Sequence, residues 1–386
     1  MSGPSPAALR SRWSDESRWS LRRSVRAGGA AAPLLVAVAT FLIGGAAYPR
    51  EFTVFDINSI VSTAAPIVLL ATGMTFVLLA GEIDLSVGSV MSLASVMLAT
   101  WMGGQNSREA TIILATAASC AAIGVVNGVL VVLGRIPSFI VTLAVLFIID
   151  GINLVWTNGS PPNGLAPSFV SLALAGHGLL TTGLGIIVIT PLLASLVFVR
   201  TRLGRSLYLL GSNRRAAANA GIPSGLFVVS ALAISGLCAG LAGTYATSYS
   251  GSGQTTLGSG MELTAIAAAV IGAVSLFGGR GTALGAAAGA MILSLLFNIL
   301  LLAGASAEIQ PVATGIVLVI GSVAYNRRGA SSASWVRDLL RLRRMLRLGS
   351  APRPTAEEAR EAGESPARQG AGRDEREEVM SSDYPA

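Results

Sequence analysis

The chain has 386 residues, of which 52% are hydrophobic and 12% are charged, whereas soluble domains carry about 25% charged residues. Its net charge is +7, and all 27 basic residues are Arg. A chain this apolar must place most of its surface against lipid. A P-loop needs a Lys to reach the β- and γ-phosphates, so these residues exclude an ordinary ATPase site.

The positive charge is segregated along the chain. Arg is concentrated in the first 26 residues, in one mid-chain segment and in the C-terminal region, and no basic surface is interleaved with aromatic residues. This pattern is typical of membrane topology and does not indicate a nucleic-acid partner. The only His, His177, lies in a Gly-rich stretch, so the sequence predicts no His-based metal site and no cofactor.

Ten apolar stretches follow a polar N-terminal segment, and each is near the ~20 residues that cross a bilayer. Continuous apolar runs in lipid must be helical, because a helix satisfies its own backbone. The sequence therefore predicts an all-α, polytopic membrane helix bundle of about ten transmembrane helices. The predicted spans are Ala30–Tyr48, Ile57–Ala80, Leu85–Trp101, Thr111–Leu133, Pro137–Trp156, Leu180–Val199, Leu226–Tyr249, Glu262–Phe277, Thr282–Ala303 and Ile309–Tyr325.

The Arg residues give this bundle a predicted orientation. With the N-terminus inside, most Arg residues between spans fall on the cytoplasmic side, and only Arg50 and Arg108 fall outside. The positive-inside rule therefore favours cytoplasmic N- and C-termini.

Four parts of the chain are predicted to differ in character. Residues 1–28 are a cytoplasmic N-terminal segment, and residues 29–325 are the membrane domain. Residues 326–349 place apolar side chains among Arg and predict an interfacial helix on anionic lipid. Residues 350–386 are poor in apolar residues and are predicted to be a disordered cytoplasmic tail. A solvated tail without an essential role is the alternative for residues 326–386.

Two breaks between apolar helices carry polar residues. In the first, Glu82, Asp84 and Ser86 lie in a Gly-flanked stretch, and Ser86 is a candidate cap of the next helix. Asp84 either caps a helix at the membrane surface or belongs to a polar hinge beside a pathway. The second break follows Glu262 and contains Arg280, and its similar arrangement suggests an internal repeat.

The segment from Thr201 to Pro223 is basic and rich in Ala. Asn213 is predicted to cap a short helix that Gly221 ends. This helix either offers a docking surface between spans or belongs to an ordinary basic inside loop.

Several polar residues lie within the predicted spans, and Gln254 lies between two spans. An intramembrane carboxylate such as Asp150 either lines a pathway or pairs with a local donor. The uncharged groups Asn127, Asn153, Gln254 and Asn298 either bind the hydroxyls of a solute or join helices to one another.

The residues from about Asn58 to Tyr325 resemble the permeases of the ribose-type branch of bacterial ABC sugar importers. The resemblance is carried by Gly73–Ser89, Ile136–Leu143, Leu203–Ile222 and Gly260–Gly281. Its most specific stretches are Ile-Asp-Leu-Ser-Val-Gly, from Ile83, and Ser-Leu-Phe-Gly-Gly-Arg-Gly, from Ser275.

This resemblance implies a homodimeric permease in the bacterial inner membrane. A periplasmic binding protein would deliver a pentose or hexose, and separate ATP-binding subunits would dock inside, so this chain would not itself be an enzyme. The family's ATPase-coupling loop then corresponds to Gly204, Arg205, Gly211, Asn213, Ala217, Ala218, Gly221 and Ile222. The pathway or hinge candidates are Glu82, Asp84, Ser86, Asp150, Asn153, Glu262 and Arg280.

Two positions depart from the family pattern, and two other functions remain open. Position 82 is Glu where the family commonly has a small or polar residue, and position 150 is Asp where Arg or a neutral polar residue is frequent. One alternative is a proton-coupled secondary transporter that relays protons through Asp84, Asp150 and Glu262. The other is a non-transporting membrane scaffold or receptor that interacts through its Arg-rich tail.

Overall fold

The computed structural model describes residues 28–47, 54–173, 175–177, 180–306 and 308–329. These residues are helical almost throughout and belong largely to the first of two compact units of the chain, which ends at Asn326. The helices are α1 (Gly28–Ala47), α2 (Val54–Leu79), α3 (Val87–Trp101), α4 (Glu109–Gly134), α5 (Ser138–Thr157), α6 (Pro167–Leu172), α7 (Thr182–Arg200), α8 (Arg202–Ser212), α9 (Arg214–Asn219), α10 (Ser224–Ser250), α11 (Met261–Ile271), α12 (Ala283–Leu302) and α13 (Ile309–Gly329).

Within the described residues, six helices are long and apolar enough to cross a membrane: α2, α4, α5, α7, α10 and α12. The chain is therefore an all-α membrane helix bundle. Helices α1, α3, α11 and α13 contain shorter apolar helical runs, which overlap the four remaining predicted spans. The count of ten spans and the orientation stay predictions.

Helix α2 lies at the centre of the bundle and is almost completely buried. Helix α10 packs against α2, α3 and α4, and α12 packs against α1, α2 and α11. Small residues allow these helices to approach closely: a Cβ added at Gly73 would lie 2.8 Å from Cβ of Cys238. Because lipid is as apolar as the side chains, close van der Waals packing of small residues holds membrane helices together.

The outer helices expose their apolar side chains. On α4 and α5, Leu133 is 78% exposed and Val155 is 80% exposed. In water such a surface would aggregate, so these faces are suited to lipid. Trp101 and Trp156, whose rings are 5.8 Å apart, close α3 and α5 at the same end of the bundle, where aromatic residues commonly meet the membrane interface.

The longest connection between predicted spans is folded. It contains α6 and a hairpin in which β1 (Gly176–His177) pairs antiparallel with β2 (Leu180–Thr181). Ser248 of α10 fixes α6, since its hydroxyl donates to the carbonyl oxygen of Phe169 (2.6 Å) and accepts from the amide of Ala173 (2.9 Å). This connection is rich in Gly, Pro and Ser, which is typical of a turn region, and α6 itself was not predicted.

One predicted span is wrong in length. Helix α11 ends at Ile271, six residues before the predicted end at Phe277, and is about 16 Å long. The following residues turn, and Ala273, Gly278 and Gly279 have positive φ angles that a right-handed helix excludes. The predicted N-terminal segment up to residue 27 and the predicted tail from residue 330 lie outside the described residues.

Candidate functional site: the glycine junction

Three connecting segments meet at one end of the bundle, and we call this meeting point the glycine junction. It consists of residues 79–82 at the end of α2, residues 208–214 at the corner between α8 and α9, and residues 275–281 before α12. The amide of Gly279 donates to the carbonyl oxygen of Leu79 (3.1 Å), and the hydroxyl of Tyr208 donates to that of Gly281 (2.6 Å). Burial raises the pKa of Tyr208 to about 12, so the phenol keeps this proton.

Gly211 lies at the tightest point of the junction. A Cβ added there would come closer than 3.0 Å to the carbonyl oxygen of Leu79 and to the amide nitrogen of Gly279, so the backbone of the neighbouring segments would have to shift. Gly279 itself has a φ of 70°, which glycine adopts without strain. The junction therefore depends on the absence of side chains at the corner of α8 and α9.

An ion pair connects the corner between α8 and α9 to the loop that follows α2. Glu82, only 7% exposed, accepts a hydrogen bond from Nη2 of Arg214, the first residue of α9. A charge-assisted contact between a buried carboxylate and a guanidinium is stronger than a neutral hydrogen bond. Glu82 and Arg214, together with Arg135, line a cavity of about 620 Å³, which we call the junction cavity.

The basic segment, residues 201–223, folds as its caps predict. Asn213 separates α8 from α9, and its Oδ1 accepts from the amide of Ala216 (3.0 Å). Gly221 follows α9 with a φ of 73°, so the predicted cap and the predicted helix end are confirmed. Ala217 is buried, whereas Ala218 is exposed. Helix α9 therefore presents one face to solvent.

The start of the basic segment is anchored to α7. The amide of Gly204 donates to the hydroxyl of Thr201 (3.3 Å), and Gly204 packs directly on the backbone of Phe198. Arg205 donates to the carbonyl oxygen of Arg200 (3.4 Å). Ile222, at the other end, is partly buried against the core. The coupling candidates thus form one continuous structure joined to the bundle at both ends.

Asp84 belongs to a buried polar cluster beside the junction. Its Oδ1 accepts from the amide (3.0 Å) and the hydroxyl (2.6 Å) of Ser86, and that hydroxyl accepts from Nδ2 of Asn127 (2.9 Å). Burial raises the pKa of Asp84, which lies in the loop between α2 and α3. Ser86 occupies the N-cap position of α3, as predicted, but its side chain makes no cap hydrogen bond. Its hydroxyl is engaged by Asp84 instead.

The loop around Asp84 is held by the first turns of α5. The amide of Ile83 donates to the hydroxyl of Ser138 (3.0 Å), and the amide of Leu85 donates to that of Thr142 (3.0 Å). These two hydrogen bonds satisfy backbone amides that have no acceptor within a helix. The first break is therefore tied to α5 as well as to the junction.

The remaining sequence candidates lie outside the polar cluster around Asp84. Arg280 is exposed on the junction loop, where its carbonyl oxygen accepts from the amide of Ser275 (2.9 Å). Glu262 is the second residue of α11 and lies against Gly88 of α3. Asp150 and Asn153 lie on α5; Asn153 is buried, and its amide atoms have no hydrogen-bond partner among the described residues.

Sequence reasoning missed Tyr208 and Arg214. The partner of Arg214 lies 132 residues earlier in the chain, and the oxygen that Tyr208 contacts lies 73 residues later. A repeated pattern of Gly at all three segments was the only available signal.

The comparisons with known proteins agree with this architecture. The family model described as "Branched-chain amino acid transport system / permease component" matches residues 57–321. The match covers more than half of the chain, including every segment of the glycine junction. The chain therefore belongs to this family of importer permeases, and the ribose-type resemblance is confirmed.

The similar relatives are named as import permeases for two different solutes. The ribose import permease protein of Escherichia coli (strain K12) is 36% identical over 72% of this chain and 88% of its own length. That of Bacillus subtilis (strain 168) is 36% identical over 68% and 82%. The autoinducer 2 import system permease protein of Salmonella choleraesuis is 33% identical over 86% and 94%. No solved structure matches the chain. The protein is a multi-pass membrane permease, and its relatives are transport subunits.

Proposed function

We propose that this chain is the membrane subunit of an ABC importer, in which two copies form the pathway for an uncharged sugar. Separate ATP-binding subunits dock on the basic segment from the cytoplasm, and a periplasmic binding protein delivers the solute from outside. The location is the bacterial inner membrane, with both termini in the cytoplasm. The similarity to ribose and autoinducer 2 import permeases supports the class.

The glycine junction carries this proposal. A force applied to the exposed face of α9 reaches α2 through Gly211 and the Glu82–Arg214 pair, and reaches α12 through the loop at Gly279. Backbone contacts without intervening side chains transmit displacement because packed interiors have low compressibility. A docking element and a mechanical link to the central helix are what a subunit driven by a separate ATPase requires.

The docking step can be tested by replacing each of two exposed alanines with tryptophan. Ala218 is exposed on α9, and Ala118 is exposed on α4. In a complete importer, we expect Ala218→Trp to abolish co-purification of the ATP-binding subunit and ATP-driven uptake. Ala118→Trp, which adds the same bulk to an outer helix, should leave both intact. Equal behaviour of the two variants would show that α9 is not the docking element.

The energy source separates this proposal from proton-coupled transport. In proteoliposomes supplied with ATP, we expect sugar uptake to continue when a protonophore is added. A secondary transporter that uses Asp84, Asp150 and Glu262 would stop at once, and loss of any of these carboxylates would abolish its uptake even with ATP present. That pair of results would replace the ABC importer proposal with the proton-coupled one.

A further inference from the structure

A second cavity lies at the opposite end of α2 from the glycine junction, and we call it the distal cavity. Its volume is about 300 Å³, and it lies between the first half of α2, the last turns of α10 and α12, and the beginnings of α11 and α13. Ser62 on its wall is separated from Leu79 by about 25 Å of helix. The two ends of the bundle are thus joined by α2, α10 and α12.

The walls of the distal cavity are uncharged. None of the described residues that line it has a side chain charged at neutral pH, although hydroxyls and amides are frequent among them. A charged ligand would lose its hydration here without gaining an ion pair, which is unfavourable. A neutral ligand with several hydrogen-bonding groups avoids this loss.

Two hydrogen-bonding groups at the cavity lack their usual partners. Asn298 lines it, and the Oδ1 atom of Asn298 is buried without a hydrogen-bond partner among the described residues. Pro66 has no N–H to donate to the carbonyl oxygen of Ser62, so one helical hydrogen bond of α2 is missing at this wall. Because both groups are acceptors and buried polar groups are normally satisfied, such a site favours a ligand whose hydroxyls donate hydrogen bonds.

Aromatic and apolar side chains complete the site. The rings of Tyr249 and Phe297 line the cavity, so the C–H faces of a saturated ring can pack there while its hydroxyls reach Asn298. The volume is at the lower limit of small-molecule sites, which suits one ring and not an oligosaccharide. Leu301, 60% exposed, forms part of the rim, so the cavity opens to the surface.

We infer that the distal cavity binds a single uncharged, polyhydroxylated ring such as a monosaccharide, oriented by Asn298. This inference rests on the proposed function and adds a binding site within one copy of the chain. Weak binding is expected, since a pathway site must release its solute. Motion of the glycine junction would reach this site along α2, whose Pro66 is a natural bending point.

Cysteine labelling in the complete importer tests occupancy. The two native cysteines, Cys120 and Cys238, are buried, so a cysteine introduced by Leu301→Cys is a selective target. We expect ribose or glucose to slow its reaction with a small thiol reagent about fivefold, and ribose 5-phosphate to have no effect. Leu180→Cys, exposed on the hairpin, is the control whose labelling should not respond. Equal slowing by the phosphate, slowing by short-chain lipid alone, or no slowing by any neutral sugar would overturn the inference.

The role of Asn298 needs its own substitution. In the labelling assay, Asn298→Leu should raise the sugar concentration for half-maximal protection about tenfold, because the ligand loses its oriented hydrogen bonds. Ser294→Ala is the matched control, since the Ser294 hydroxyl already donates to its own helix at Ala290 (2.9 Å), and it should change protection less than about twofold. Asn298→Ser, which keeps a polar group, replaces Asn298→Leu if that variant does not fold. Equal protection of the Asn298 and Ser294 variants would contradict the assignment.

ATP-driven uptake by the complete importer in proteoliposomes distinguishes failure of the distal site from failure of the proposed function. If ATP-driven uptake occurs and is unchanged by Asn298→Leu, and if sugars do not protect the introduced cysteine from labelling, the proposed function stands and the distal site is wrong. If neutral sugars protect the cavity in an Asn298-dependent manner but no ATP-driven uptake occurs, the site stands and the importer proposal is wrong.

Discussion

The two ends of the central helix α2 differ in chemistry. At the glycine junction, backbone meets backbone, and the junction cavity is lined by Glu82, Arg135 and Arg214. At the distal cavity, the described lining residues are neutral, and Oδ1 of Asn298 lacks a hydrogen-bond partner among the described residues. Tight packing with a charge pair is suited to transmitting force between protein parts. An open neutral wall with one unsatisfied amide oxygen is suited to a ligand that binds and is released.

The largest expected effect comes from filling the tight point of the junction. Gly211→Ala places a Cβ against the backbone of both neighbouring segments, and overpacking of this kind costs about 1–3 kcal/mol. We expect a lower thermal unfolding midpoint and loss of ATP-driven uptake. Gly151→Ala is the control, because nothing lies within 4 Å of an added Cβ there. If Gly211→Ala transports normally, the junction does not carry force.

The next effect isolates the charge pair that distinguishes the junction from the distal cavity. A double-mutant cycle of Glu82→Gln and Arg214→Gln should give a coupling energy of about 1–2 kcal/mol, moderated because Arg214 is more than half exposed. The measurement is unfolding of the purified chain with each variant. Arg215 is the next residue of α9 and is exposed. The same cycle with Glu82→Gln and Arg215→Gln should give a coupling energy close to zero. Equal coupling for both Arg residues would mean that no specific pair exists.

A smaller effect concerns the support that α5 gives to the first break. Thr142→Val keeps the shape of the side chain but leaves the amide of Leu85 without its acceptor, at a cost of about 1 kcal/mol. Thr157→Val on the same helix is the matched control, because the Thr157 hydroxyl donates within its own helix to the carbonyl oxygen of Asn153 (2.8 Å). Comparable unfolding midpoints for the two variants would show that the break does not depend on α5.

The smallest effect is expected at Asp84. Because burial raises its pKa, the folded chain holds this proton more tightly than the unfolded chain does. The carboxyl therefore favours folding below its ordinary pKa, and this contribution is lost as the pH rises through the raised pKa. Asp84→Asn keeps an acceptor for Ser86 and removes this dependence, so its stability at neutral pH should equal or exceed that of the wild type. Unfolding measured against pH checks this, and a large loss at neutral pH would show that the charge itself is required.

Sequence reasoning located the elements better than the contacts between them. The Asn213 cap and the Gly221 stop of α9 were predictable, since both depend on residues within one turn. The early end of α11 was not, because the positive φ angle of Ala273 occurs at a residue type that gives no local signal for it. Glu82 was identified as a departure from its family, yet its partner Arg214 was not identified. Charge and periodicity do not show which of many Arg residues will face a given carboxylate.

The sequence by itself determined that this protein is a helical membrane permease without a P-loop lysine. Apolar length and Arg placement follow from the physics of the bilayer, which acts on each segment separately. Only the tertiary structure decided that three Gly-containing breaks form one junction, and that Ser62, Tyr249 and Asn298 border one neutral cavity. These groupings depend on which helices pack together, and that choice is made by side-chain fit between segments far apart in the chain.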